Sequence, residues 1–213
     1  MEENSIKVFA KSDPKVQVRV TPGHFATNHS HINYYLDMTT LKTRQSMAMA
    51  AAKTIVHNYI ASTIVDTIVC MDGTEVIGAY LAEELTAAGI MSVNAHGTIY
   101  VVGPEISSSG QLIFRDNMAP MIKNKHVLLL LATATTGRTI DRAVECIEYY
   151  GGMVSGISAL FSATDTVGGR QVNTVFSKND MPAYESYDHN ECPLCQAGKK
   201  LDAIVNSFGY MKL

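Results

Sequence analysis

The sequence lacks the features that mark several specialised classes of protein. No run of lysine or arginine stands out in its 213 residues, and the formal net charge at pH 7 is -3 with seven histidines counted as neutral. We therefore expect no electrostatic binding to nucleic acid. No apolar run reaches about 18 residues, and the N-terminus shows no basic-then-apolar signal pattern, so neither a membrane span nor export is expected.

Cysteine is scarce, with four residues in the whole chain. That is too few for a disulfide framework in a chain of this length, so we expect reduced thiols and a cytoplasmic protein. Hydrophobic residues make up 46% of the chain and charged residues 17%, which indicates a globular protein rather than a disordered one. The length predicts one sizeable domain, or one domain with a small appendage.

The chain is organised around one strand, one turn and one helix. Residues 127–132 are a continuous apolar run, which is typical of a strand buried on both faces of a parallel sheet. The small polar residues 133–139 follow, and apolar residues then recur at helical spacing until Gly151 and Gly152. The amides at such a helix start suit a phosphate group, and a turn that merely caps the helix is the alternative.

The same alternation of strands and helices continues along the chain. This spacing predicts βαβ units, and therefore an α/β fold with a mainly parallel sheet flanked by helices. Besides the central unit, we expect strands at residues 16–20 (a short edge strand), 64–70, 98–103, 111–114, 153–161 and 172–176, and helices at residues 41–59, 76–88 (ending at Gly89) and 199–207.

Residues 135–139, which read Thr-Thr-Gly-Arg-Thr after a buried strand, resemble the phosphoribosyl pyrophosphate loop of type I phosphoribosyltransferases. In that family an acidic pair before the loop holds the ribose hydroxyls, and here its positions carry Leu131 and Ala132. Neither side chain accepts a hydrogen bond or stabilises positive charge, so the sequence assigns no catalytic residue. The resemblance implies a 5′-phosphate site at Thr133, Ala134, Thr135, Thr136, Gly137, Arg138 and Thr139.

The N-terminal stretch is similar to that of orotate phosphoribosyltransferases in particular. The similarity implies a base pocket at Phe25, Tyr34 and Tyr35. Asn28 stands where that branch has a lysine, and His31 stands where it has an arginine. An anionic base such as orotate would therefore lose cationic partners.

A second turn, between the strand at 64–70 and its helix, occupies the place of the family's pyrophosphate loop. The resemblance implies pyrophosphate contacts at Asp72, Gly73 and Thr74. The negative charge of Asp72 would repel pyrophosphate unless a cation such as Mg²⁺ bridges them. An ordinary tight turn is the alternative. The family's basic mobile loop corresponds to residues 104–110, which carry no lysine or arginine.

Two short spacings suggest metal ligands. Cys192-x-x-Cys195 has the spacing of a zinc knuckle, with His189 three residues upstream, and the other two cysteines lie on elements expected in the core. A zinc site, a redox pair and a tight turn with two free thiols all remain open. His29-x-His31 also has metal-ligand spacing, but without a nearby third ligand a hydrogen-bonding loop is favoured.

We therefore predict a type I phosphoribosyltransferase-like α/β domain over 1–176, with a hood over 1–37, and a cysteine-containing tail with a short helix over 177–213. The expected activity is transfer of phosphoribosyl from phosphoribosyl pyrophosphate to a pyrimidine-type base. The alternative is a non-catalytic relative that senses a nucleotide or phosphoribosyl ligand. Mg²⁺ and Zn²⁺ are the expected cofactors, and a homodimer is the expected assembly. Asp116 or Asp141 is the expected substitute for the acidic pair.

Overall fold

The computed structural model describes residues 4–87, 92–95 and 97–213. These residues form fifteen strands and five α-helices. The strands are β1 (Ile6–Phe9), β2 (Gln17–Ala26), β3 (His31–Asp37), β4 (Thr67–Cys70), β5 (Tyr100–Val102), β6 (Glu105–Ile106), β7 (Leu112–Ile113), β8 (His126–Ala134), β9 (Met153–Ser162), β10 (Thr166–Val167), β11 (Arg170–Gln171), β12 (Asn173–Ser177), β13 (Ser186–Tyr187), β14 (Ala203–Asn206) and β15 (Gly209–Lys212). The helices are α1 (Thr39–Thr43), α2 (Gln45–Val56), α3 (Glu75–Ala87), α4 (Arg138–Tyr149) and α5 (Pro193–Gln196).

A five-stranded parallel sheet in the order β12-β9-β8-β4-β5 forms the centre of the molecule. It confirms the predicted α/β class. The apolar run of β8 is buried on both faces, as expected, because its side chains alternate between two hydrophobic clusters. Leu128, Leu130 and Ala132 belong to one cluster, and Val127, Leu129 and Leu131 belong to the other.

A second sheet has the order β13-β3-β2-β14-β15, and β1 also pairs with β2; strands β1 to β3 lie in the hood (1–37), and β13 to β15 lie in the tail (177–213). The predicted edge strand at 16–20 is wrong, since β2 runs for ten residues and pairs with three strands. The predicted helix at 199–207 is also wrong. There β14 and β15 form an antiparallel hairpin, because the open edge of β2 supplies partners that an isolated segment lacks. The tail thus belongs to the same sheet as residues 17–37.

The predicted single helix at 41–59 is wrong as well, because Arg44 has extended backbone (φ -84°, ψ 116°) and separates α1 from α2. Helix α1 begins at Thr39 and buries the side chain of Lys42. Helix α3 begins at Glu75, close to the prediction, whereas its predicted end at Ala88 and Gly89 lies outside the described residues. Within the described ranges, no helix combines the length and apolarity that a membrane crossing requires.

Candidate functional site

A cavity of about 180 Å³ lies where the hood faces the carboxyl ends of β4 and β8. This is the usual place for a ligand in an open parallel sheet. Its wall combines the turn after β8, the turn after β4, helix α1, the β2–β3 turn and the β14–β15 turn. Segments distant in sequence therefore meet at one site.

The turn after β8 supplies one whole side of the cavity. All of residues 133–139 line it. Gly137 has φ +79°, in the left-handed region, and a Cβ there would lie 2.8 Å from Val167 Cγ2. Helix α4 begins directly after Gly137, and no side chain caps it. The first amides of α4 and the threonine hydroxyls are thus arranged to receive an anion.

The two residues in place of the acidic pair have different surroundings. Leu131 is fully buried in the hydrophobic cluster on the far face of β8, whereas Ala132 lines the cavity. A carboxylate nevertheless lies beside Ala132. The Asp72 carboxyl lies near the amides of Ala132 and Thr133 and the side chain of Ser207, and all three act to lower its pKa, less strongly than burial acts to raise it. The acidic group of this site therefore comes from the neighbouring strand's turn.

Lys42 on α1 faces the same corner, and nothing in the local sequence pattern indicated it. Its Nζ donates to the carbonyl oxygen of Asp72 at 2.6 Å and to that of Ser207 at 2.7 Å. Burial raises the pKa of the Asp72 carboxyl, against the opposing effect of Lys42. Burial likewise lowers the pKa of Lys42, against the opposing charge of Asp72. Two ionisable groups whose pKa values are shifted by burial in one cavity are typical of a functional site.

The opposite wall is apolar and aromatic. Of the predicted base-pocket residues, Tyr35 lines the cavity, whereas Phe25 is fully buried beneath it and Tyr34 lies outside the lining. Phe161 and Tyr184 complete the wall, with ring centroids 4.9 Å apart in an edge-to-face arrangement. Such a wall suits a flat ring.

The remaining predicted residues of the turn after β4 face away from the ligand space. The hydroxyl of Thr74 donates to the carbonyl oxygens of Met71 and Leu130 at 2.8 and 3.2 Å, inside the core. Gly73 is exposed at φ +75°. Asp116 and Asp141, the expected substitutes for the acidic pair, are exposed and do not line the cavity.

The cysteines of the tail meet two histidines of the hood. One ligand atom from each of His24, His31, Cys192 and Cys195 lies within 4.8 Å of the other three. His189, the histidine adjacent in sequence, is exposed and is not in this group, and His29 lines the cavity instead. The sequence showed a histidine-rich stretch and a Cys-x-x-Cys pair, but their spacing gave no sign that they meet.

Comparisons with known proteins show which proteins share this architecture. No protein-family model and no curated protein matches the sequence. Among solved structures, UMP synthase from Leishmania donovani has 16% identity and a TM-score of 0.52, covering 75% of this chain and 34% of its own. This chain thus spans about a third of that protein.

Two further solved structures match over most of their own length. Orotate phosphoribosyltransferase from Aeropyrum pernix has 18% identity and a TM-score of 0.51, with 75% of this chain and 88% of the other covered. Adenine phosphoribosyltransferase from Thermoanaerobacter pseudethanolicus has 14% identity and a TM-score of 0.50, with 83% and 96% covered. The chain therefore has the fold of the type I phosphoribosyltransferases, as the resemblance of its phosphate loop implied.

Proposed function

We propose that this chain is a phosphoribosyltransferase that transfers the phosphoribosyl group of phosphoribosyl pyrophosphate to a pyrimidine-type base. One observation carries the proposal: the uncapped turn at 133–139 and Asp72 line the same cavity. A site for a phosphate and a group able to stabilise positive charge are thereby adjacent.

In this reaction a nitrogen of the base forms a bond to the ribose C1, and the bond from C1 to pyrophosphate breaks. Positive charge develops on the ribose, and a fixed carboxylate stabilises it electrostatically. Asp72 lines the cavity, and its carboxylate would offer oxygen atoms to a ribose hydroxyl or to Mg²⁺, whose preferred ligands are oxygen atoms.

The aromatic wall formed by Tyr35, Phe161 and Tyr184 supports a planar base as the acceptor. Asn28 and His29 at the rim of the cavity offer hydrogen-bonding groups to its edge.

Two further parts of the proposal concern assembly and compartment. We infer a homodimer, since Phe208 is 85% exposed and Met211 and Leu213 on the same hairpin are also exposed. Light scattering during gel filtration tests it directly. The four cysteines are free thiols, which supports the cytoplasm as the compartment.

Leu131 and Ala132, which replace the family's acidic pair, favour a second function: binding of a ligand without catalysis. Loss of one preorganised electrostatic group typically slows a reaction by about 100- to 1,000-fold. If Asp72 does not replace the acidic pair, the chain binds a nucleotide or phosphoribosyl ligand without turning it over, as a sensor or regulator.

Calorimetric titration of phosphoribosyl pyrophosphate, with and without Mg²⁺, tests both functions when it is followed by a turnover screen over pyrimidine and purine bases. We expect Mg²⁺-dependent binding that Thr136→Ala weakens and that Thr86→Ala, a control on α3 away from the cavity, leaves unchanged. Turnover with any pyrimidine establishes the transferase. Binding without turnover supports the sensor. Absence of binding refutes the transferase, and absence of binding in a further titration with nucleotides refutes the sensor as well.

A further inference from the structure

We propose that His24, His31, Cys192 and Cys195 bind one zinc ion that joins the C-terminal tail to the hood. Two nitrogens and two sulfurs are the donor set that favours zinc in tetrahedral geometry. All four side chains belong to the described residues, and none of them lines the cavity. This site is therefore separate from the phosphoribosyl site and does not depend on the function proposed for it.

Four of the six distances between the donor atoms match those around a tetrahedral zinc ion, and all six lie within 4.8 Å. Zinc–sulfur bonds of about 2.3 Å and zinc–nitrogen bonds of about 2.0–2.1 Å place sulfur and nitrogen about 3.5 Å apart and two nitrogens about 3.3–3.4 Å apart. Here Nε2 of His24 lies 3.2 Å from Nδ1 of His31, 3.5 Å from Sγ of Cys192 and 3.6 Å from Sγ of Cys195. Sγ of Cys195 lies 3.3 Å from Nδ1 of His31.

Contacts around His24 hold its ring in the orientation that a metal ligand needs. Its Nδ1 lies 2.8 Å from the carbonyl oxygen of Lys199, an acceptor that requires the proton on Nδ1 and leaves Nε2 free to bind the ion. Its amide donates to Oδ2 of Asp202 at 2.7 Å, and the amide of Asp202 donates back to its carbonyl oxygen at 2.8 Å. The first ligand is thus oriented by the tail itself.

The burial of the four side chains suits a structural ion. His24 and Cys192 are fully buried, whereas Cys195 is exposed and provides a path for the ion to enter. Four protein ligands leave no open position, which distinguishes a structural zinc from a catalytic one. Two short strand pairings, β13 with β3 and β14 with β2, each join the tail to the hood through two residue pairs, so the ion would be an additional link between them.

Metal analysis of the purified full-length protein, expressed with added zinc and kept reduced, is the first test. We expect one zinc per chain. After chelation, added Co²⁺ should give the visible absorption of a tetrahedral cobalt–thiolate site. A wild-type protein without bound metal, or with a Cys192–Cys195 disulfide in its place, would refute the proposal even if every variant failed to fold.

Matched substitutions identify the ligands. Cys195→Ser and His31→Ala alter the less buried pair, so their variants should fold, and both should lose at least about tenfold in metal affinity. Cys146→Ser, at a half-buried thiol on α4, and His189→Ala should retain full occupancy. Loss of zinc in His189→Ala, or its retention in Cys195→Ser, would contradict this ligand set.

Chelation also tests the structural role. The metal-free protein should show a lower melting temperature and faster proteolysis within residues 177–213 than the zinc-loaded protein, and re-addition of zinc should reverse both changes. Stoichiometric zinc whose removal leaves melting and proteolysis unchanged would overturn the assignment of the ion as the link between tail and hood.

Discussion

The turns after β4 and β8 stand side by side, because Cys70 and Leu130 are register partners in neighbouring parallel strands. Each turn contains a glycine in the left-handed region and leads into a helix. The polar groups of the two turns nevertheless point in different directions. The turn after β8 presents amides and hydroxyls to the cavity, whereas the turn after β4 places the hydroxyl of Thr74 inside the core and the carboxylate of Asp72 against β8.

Under the proposed function, these two neighbouring turns would have different roles. The turn after β8 would bind the phosphate and has no acidic group of its own, whereas the turn after β4 would supply the carboxylate of Asp72. Asp72 can line the same cavity as the turn after β8 because the carboxyl ends of parallel strands meet at one edge of the sheet.

Gly137→Ala should have the largest effect on stability, and its comparison with Gly73→Ala distinguishes how tightly the two turns are packed. Left-handed backbone costs an alanine about 1–2 kcal/mol, and overpacking costs about 1–3 kcal/mol more. The added Cβ would lie 2.8 and 3.0 Å from the two Cγ atoms of Val167. We expect a loss of roughly 2–5 kcal/mol in the free energy of unfolding by urea, together with weaker phosphate binding.

Gly73→Ala is the matched control for that substitution. Its φ is +75°, but the nearest atom to the added Cβ is Nζ of Lys42 at 3.6 Å, an ordinary contact. Only the backbone cost of about 1–2 kcal/mol applies. Equal destabilisation by the two substitutions would show that the contact with Val167 does not distinguish the turns.

Asp72→Asn tests whether the turn after β4 supplies the acidic function. The amide keeps one oxygen acceptor and nearly the same shape but removes the charge. If the transferase proposal holds, turnover should fall by about 100- to 1,000-fold while phosphoribosyl pyrophosphate affinity changes little. Steady-state kinetics combined with calorimetry provides the measurement. Unchanged turnover would exclude Asp72 from this role.

Lys42→Met tests the contact that joins the turn after β4 to the tail. Methionine preserves much of the buried stem but leaves the carbonyl oxygens of Asp72 and Ser207 without their donor. The unfolding free energy should fall by about 1–3 kcal/mol. Lys53→Met, at an exposed position on α2, is the control and should be near neutral. Equal effects would indicate that the buried amine contributes nothing.

The smallest effect is expected at the opposite ends of the two strands, where Oδ2 of Asp66 accepts hydrogen bonds from the amide and ring of His126 at 2.7 and 2.9 Å. Burial acts to raise the pKa of Asp66, but the bonds from His126 outweigh it, so the pKa lies below 3.8. This stabilisation is present above pH 3.8 and is lost as the pH falls through the folded-state pKa.

Urea unfolding of the wild type and Asp66→Asn from about pH 6 to about pH 2 measures that loss. The wild type should be the more stable protein at the higher pH, and the difference should shrink below pH 3.8. A difference that stays constant with pH would contradict the assignment.

The sequence by itself determined the parallel α/β core. The apolar run of β8 and the helical spacing of α4 are local patterns, because burial on two faces or on one stripe constrains residues a few positions apart. The segment 133–139 was also identifiable as a candidate phosphate loop, since its residues are contiguous in the sequence. Helix breaks such as Arg44 were missed because tertiary packing, here the burial of Lys42, overrode a continuous helical pattern.

Only the tertiary structure decided which distant groups meet. Asp72 reaches Ala132 across two strands, and His24 and Cys192 are 168 residues apart yet lie 3.5 Å from each other. The residues at 203–212 became strands because β2 offered an open edge. Side-chain spacing encodes only the periodicity of its own segment, so contacts set by sheet order and packing between segments cannot be derived from it.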